Sequence, residues 1–237
     1  MINFNNLHKT YKIKSFKPVK ALDGFSLEIK SNEVFALAGI NGAGKTTALK
    51  ALFGLIKLDE GSIDFNEGCS SSDLIGFAPE IPDLPDYMTV EEVLEFSCKL
   101  AGVTPTPALI GKSLMLFELE PLKNKIVSTL SKGNRQRLSL AAATVYEPKI
   151  IVYDEPTSGL DPLGRNLIKC VIKKLKADGC TIIFSTHMLA DLPELCDKMA
   201  VVHCGKVVFA GRVSEFCAEK SLVMLEKRFA ELVEPKA

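Results

Sequence analysis

The chain has 237 residues, 47% of them hydrophobic, and its 29 Lys+Arg balance 29 Asp+Glu. That length suits one domain with lobes, the apolar share can fill a sizeable core, and zero net charge argues against a duplex-DNA binder that relies on a global positive field. The seven cysteines form no CxxC pair and no zinc-site spacing, which predicts reduced, mostly buried thiols in a reducing compartment.

The opening MINFNNLHKT is polar and lacks a signal-peptide core. No stretch reaches the roughly 18 apolar residues of a bilayer span, so a cytosolic setting is expected, with any membrane role supplied by a partner. The first third reads as short strands. Leu22 to Ile29 alternates apolar and polar residues, Ser31-Asn32 suits a turn, and Val34 to Ala38 is a continuous apolar run. A glycine loop follows, then ALKALFGLI with helical spacing. From Pro82 to Tyr146 the pattern is helical. Thr89 and Glu92 form a capping box for TVEEVLEFSCKLAG, which stops at Gly102. A second helix spans Ala108 to Leu119, and a third starts near Ser131 and runs through RQRLSLAAATVY. Alternation of strand and helix then returns: Lys149 to Tyr153, helix Gly164 to Ala177, Thr181 to Ser185, a short helix Leu189 to Cys196, and strands Met199 to His203 and Val207 to Phe209. This alternation implies a largely parallel sheet. From Ser214 the tail reads as helix, fraying at Val233-Glu234-Pro235.

Two motifs carry chemistry. Gly39-Ile40-Asn41-Gly42-Ala43-Gly44-Lys45-Thr46, followed by Thr47, matches GxxxxGK[ST] between a strand and a helix. Glycines let successive amide N–H groups face phosphates, and the helix N-terminus adds its positive end. Lys45 reaches the β- and γ-phosphates, and the Thr46 hydroxyl suits Mg²⁺. The second motif is the apolar strand ending in Asp154-Glu155. Ligands of open α/β sheets sit at such carboxyl edges. There Asp154 can serve the metal and Glu155 can polarise water toward a γ-phosphate.

Leu130-Ser131-Lys132-Gly133-Asn134-Arg135-Gln136-Arg137, then DEPTSGLD from Asp154 to Asp161, then Ser185-Thr186-His187, give the chain a resemblance over nearly its whole length. It resembles the nucleotide-binding subunits of ABC transporters. The resemblance implies an ABC-type P-loop ATPase fold: a mixed, mostly parallel core sheet, an antiparallel β subdomain and a helical subdomain. It divides one domain into a core with β subdomain (1–81 and 147–213), a helical subdomain (82–146) and a C-terminal helical tail (214–237). It implies ATP and Mg²⁺ as ligands, and a head-to-tail dimer with a second copy or a homologous ATPase subunit. Transmembrane permease subunits and a peripheral position on the cytoplasmic face of the membrane are implied as well.

Residue by residue, Ser131, Gly133 and Asn134 match the signature loop that meets the partner's ATP. His187 matches the switch histidine at the γ-phosphate, Asp161 the aspartate at the dimer interface, and Tyr11 the aromatic that stacks on adenine. Two departures stand out. Glu80, in Ile75-Gly76-Phe77-Ala78-Pro79-Glu80, replaces the usual glutamine, keeping an oxygen ligand for Mg²⁺ while adding charge. LSKGN replaces LSGGQ, with Lys132 in place of a glycine and Asn134 in place of glutamine. The Pro-Glu pair resembles the branch whose membrane partners are exporters, of the ABC-2 type. Tyr153 takes an aliphatic position and is expected to affect packing alone. Lys12, Lys14, Lys17 and Lys20 read as a solvated hairpin rather than a nucleic-acid site. Alternatives are a soluble ABC ATPase of translation or DNA repair, which would usually fuse two such domains or carry a long coiled coil, and a regulatory module that binds ATP with negligible turnover.

Overall fold

A computed structural model describes residues 1–12, 17–65, 75–217 and 221–233. Its contacts divide it into two compact units, one of Met1–Ser72 with Ile183–Ala237 and one of Asp73–Ile182. Lys14 of the basic stretch, Cys69, and the fraying predicted beyond Val233 lie outside the described residues.

The first unit holds an antiparallel sheet in the order β2-β1-β4, from β1 (Ile2–Tyr11), β2 (Val19–Ile29) and β4 (Glu60–Phe65). Ile2 faces Ile29 and Phe65, and Tyr11 faces Val19 across the hairpin. Lys12, Lys17 and Lys20 are exposed on this hairpin, as a solvated stretch requires. Phe4 and Phe25 meet edge to face inside it, their ring centres 5.6 Å apart. The β4 segment, EGSIDF, was not legible as a strand because it is half polar and mostly exposed. The turn before β3 (Val34–Ala38) has Asn32 at φ 57, the left-handed conformation that Asn tolerates. All five residues of β3 are buried, as a continuous apolar run requires. β3 pairs in parallel with β8 (Lys198–His203), and β8 pairs antiparallel with β9 (Lys206–Arg212). α1 (Lys45–Leu52) follows the loop after β3. The predicted tail helix is two pieces, α7 (Val213–Phe216) and α8 (Leu222–Val233).

The second unit starts with β5 (Ile75–Ala78), parallel to β6 (Ile150–Tyr153). Gly76 is dictated by crowding: a Cβ there would stand 1.9 Å from the Ala143 carbonyl oxygen. α2 (Val90–Leu100) opens on the predicted capping box. Thr89 accepts from the Glu92 N–H at 3.2 Å, and Glu92 accepts from the Thr89 N–H at 2.8 Å. Gly102, at φ 71, closes α2 with the Val103 N–H donating to Cys98 O at 2.9 Å.

α3 spans Pro107–Leu116, starting one residue earlier than predicted because Pro is favoured at the first helical position. It ends earlier because Glu118 turns left-handed (φ 51) and the Leu119 N–H returns to Leu114 O at 2.7 Å. α4 (Lys132–Ala142) also stops short of the predicted Tyr146. The Thr144 hydroxyl donates to Leu140 O and Ala141 O (3.0 and 3.1 Å), and Glu147 at φ 54 precedes Pro148, so the helix cannot continue. α5 spans Pro162–Ala177. The remaining strand, β7 (Thr181–Thr186), contains the division between the units. Tyr153 is fully buried, its hydroxyl 3.5 Å from Leu140 O.

Candidate functional site

In the first unit the phosphate loop is held by backbone. The Gly39 N–H donates to Thr186 O at 3.3 Å, and the Ala43 N–H donates to Ile40 O at 3.2 Å. From behind, the Gly205 N–H in the β8–β9 turn donates to Ala43 O at 2.8 Å, and Gly205 O accepts from the Asp23 N–H at 3.0 Å. Gly44 sits at φ 111 with a Cβ position only 2.4 Å from Ala21 O, so no other residue fits there. It caps α1 without a side-chain bond, and the first turn of α1 has no acid. The first turn of α1 thus has no side-chain cap from Gly44 and no acid of its own, which suits an anion.

Lys45 is only 6% exposed, and its ammonium donates to Gly39 O at 2.7 Å and Ile40 O at 3.3 Å, folded back over its own loop. Asn41 and Gly42 are exposed at the loop's tip, Ala43 is buried, and Thr46 and Thr47 are half-buried. His187 is exposed just beyond β7, where the Met188 N–H donates to Thr186 Oγ1 at 2.9 Å. Tyr11 ends β1 with its ring exposed, and Lys9 Nζ lies 5.7 Å from the ring centre.

In the second unit β6 is buried along its whole length and delivers two buried carboxylates, Asp154 at 2% and Glu155 at 5% exposure. The Asp154 N–H donates to Ala78 O at 2.9 Å, which extends the β5–β6 ladder by one residue. Glu155 has φ 50, left-handed for a residue with a Cβ, a conformation that costs of order 1–3 kcal/mol. The sequence motif gave no sign of this. The strain turns the chain sharply at the second acid, and the turn is closed by Ser158 N–H donating to Glu155 O at 3.0 Å. Glu80 is exposed two residues after β5.

The same unit brings the signature loop and Asp161 together. Ser131, Gly133, Asn134 and Asp161 line one open groove of about 730 Å³, along with the exposed Leu163. Ser131 caps α4, its hydroxyl accepting from the Asn134 N–H at 3.3 Å. Asp161 caps α5 in the same way, accepting from the Gly164 N–H at 2.7 Å. Both side chains therefore have structural work at helix N-termini whatever else they contact. Sequence reasoning missed Arg137, whose guanidinium donates to Asn134 Oδ1 and, at 3.3 Å, to Phe117 O. Lys132 extends across Gly159, where a Cβ would lie 2.8 Å from Lys132 Cε.

A phosphate loop with a buried lysine, a strand ending in two buried acids, and a serine-capped helix are the parts of a phosphoryl-transfer ATPase of the ATP-binding-cassette class. The chain belongs to the ABC transporter family: the family profile matches residues 22–158, and the protein is an ATP-binding cassette ATPase. It is 36% identical over 207 residues to the ABC transporter ATP-binding protein YhaQ of Bacillus subtilis, covering 85% of this chain and 70% of that protein. It is 35% identical over 219 residues to the Nod factor export ATP-binding protein I of Burkholderia orbicola, covering 89% and 70%. Among solved structures, the ATP-binding cassette MJ0796, a dimer in a post-hydrolysis state bound to ADP and Pi, superposes with a TM-score of 0.80 at 27% identity, covering 90% of this chain and 99% of that one. No helix among the described residues is long and apolar enough to cross a membrane.

Proposed function

We propose that this chain drives an ABC transporter by closing as a head-to-tail pair around ATP and reopening after hydrolysis. Its partner in the pair is a second copy or a homologous ATPase, and the load is carried by transmembrane permease subunits at the cytoplasmic face of the membrane. No transported molecule is inferred, and export is the favoured direction. The whole chain acts as one ABC ATPase domain, with 1–81 and 147–213 as core and β subdomain, 82–146 as helical subdomain and 214–237 as tail.

The observation that carries this reading is Lys45, buried at the N-terminus of α1, whose first turn holds no acid of its own. On nucleotide binding, its ammonium exchanges the Gly39 and Ile40 carbonyls for phosphate oxygens. The loop from Gly39 to Thr47, Asn41, Gly42, Ala43 and Gly44 included, supplies backbone donors, and Tyr11 stacks on adenine. Glu155 orients the attacking water, and His187 donates to the γ-phosphoryl group as charge builds there. Ser131, Gly133 and Asn134 of one subunit offer a hydroxyl and the α4 N-terminus to the ATP held by the other, with Asp161 at the interface between them. Thr46, Asp154 and Glu80 each carry the hard oxygens that Mg²⁺ favours. When bound it would neutralise phosphate charge.

Purification from native membranes in mild detergent tests the proposal. A multi-span membrane protein that co-purifies and raises phosphate release from Mg-ATP supports it. Ribosomal or other soluble partners would remove the transport assignment, and tight ATP binding with negligible release in every complex would favour a regulatory module.

A further inference from the structure

The second unit contains a cavity of about 360 Å³ that has no part in the chemistry above. Leu109, Leu116, Val145, Ile151 and Leu175 are the aliphatic part of its wall. Ile151 stands on β6 three residues before Asp154, so the cavity adjoins the opposite end of the strand that carries the acid pair. Its volume falls in the range of small-molecule sites, which are apolar with a few placed polar groups.

One such group is Ser113, on α3. It is 4% exposed, and its hydroxyl has no hydrogen-bond partner among the described residues. A helical hydroxyl normally avoids that state by bonding to the preceding turn, as Ser97 does to Val93 O at 2.8 Å and Thr144 does to Leu140 O at 3.0 Å. Ser113 does not, so a donor and an acceptor stay unused in an apolar wall. The charged groups around the cavity cancel. Lys112 meets Glu147 at 2.6 Å, an ion pair that holds the lysine charged, and Lys149 and Asp178 add one charge of each sign. A net field for phosphate or carboxylate is therefore missing. Cys180 also lines the cavity, its thiol 3.6 Å from Pro148 O.

We infer that this cavity is a binding site for a small neutral molecule with an apolar body and one hydroxyl or carbonyl group, which pairs with Ser113 and leaves the nucleotide site free. The site stands on its own geometry and does not depend on the transporter reading.

The chain has no Trp, so 2-naphthol can be followed by its own fluorescence, with naphthalene as the matched probe lacking the hydroxyl. The expected result is saturable 2-naphthol binding that is unchanged by saturating Mg-ATP. Ser113→Ala should weaken 2-naphthol by about tenfold, the effect of one lost hydrogen bond, and leave naphthalene unchanged. A second measurement on the unmodified protein places the ligand: bound 2-naphthol should slow alkylation of Cys180 and leave that of the exposed Cys170 alone. Non-saturable binding, an equal response of both probes to Ser113→Ala, competition by Mg-ATP, or unprotected Cys180 would each overturn the assignment.

Discussion

The phosphate loop and the signature loop would both address the same triphosphate, yet they are built differently. The first is a main-chain construction, in which Gly44 has no room for a Cβ, the Gly205 turn braces Ala43 from behind, and Lys45 is folded inward. The second is a side-chain construction on a helix end, with Ser131 capping α4, Arg137 fixing Asn134, and Lys132 lying over Gly159. Backbone geometry leaves almost no freedom in residue type, whereas a capped helix end needs only its cap and an unobstructed backbone. This explains why the phosphate loop follows its motif at every position while the signature loop carries Lys132 and Asn134.

That contrast can be attacked from several sides. The largest effect is expected at Glu155. Glu155→Gln should keep ATP binding and lower turnover by about 10²–10⁴-fold, read as phosphate release under saturating Mg-ATP. Turnover near the unmodified rate would remove Glu155 from its role. Next are two glycines that separate site from scaffold. Gly44→Ala should abolish measurable nucleotide binding. Gly76→Ala, forced against Ala143 O, should cost about 1–3 kcal/mol in denaturant unfolding and leave the affinity for ATP unchanged once folded. Smaller still is Ser131→Ala, which should lose about 1 kcal/mol as a missing helix cap, together with a fall in hydrolysis at unchanged ATP affinity. Lys132→Gly, by contrast, should leave hydrolysis within about twofold, because its side chain lies against Gly159 and the cap bond is made by Ser131.

The smallest effect concerns thiols. Burial pushes the Cys98, Cys180 and Cys196 thiols up, so less thiolate is present at any given pH than in a free cysteine. Iodoacetamide near pH 8 should modify the exposed Cys170 and Cys204 first, and the buried Cys98 and half-buried Cys180 and Cys196 should lag until the pH is raised. Equal rates for all five would contradict the packing described.

Much of this was written in residue order. The β3 run, the capping box at Thr89 and the stop at Gly102 were legible because each depends on local residue types. The candidate site residues could be named for the same reason, as motif positions. Other features depend on distant partners and left no local mark. β4 is a strand because β1 pairs with it, despite its polar sequence. The end of α4 depends on the Thr144 hydroxyl choosing helix carbonyls, and the hold on Asn134 depends on Arg137 reaching across to Phe117 as well. The left-handed backbone of Glu155 is invisible in DEPTSGLD, since Glu alone gives no reason for a positive φ.

The most direct test of the composite, head-to-tail site mixes two impaired variants. Lys45→Ala removes the chain's own triphosphate contact, and Ser131→Ala removes the contact offered to a partner. Each alone should hydrolyse ATP poorly. A mixed pair contains one intact Lys45 facing one intact Ser131, so equimolar mixing should restore phosphate release well above either variant. A mixture no more active than its components would contradict a composite site between two copies of this chain and leave only a homologous ATPase as the partner.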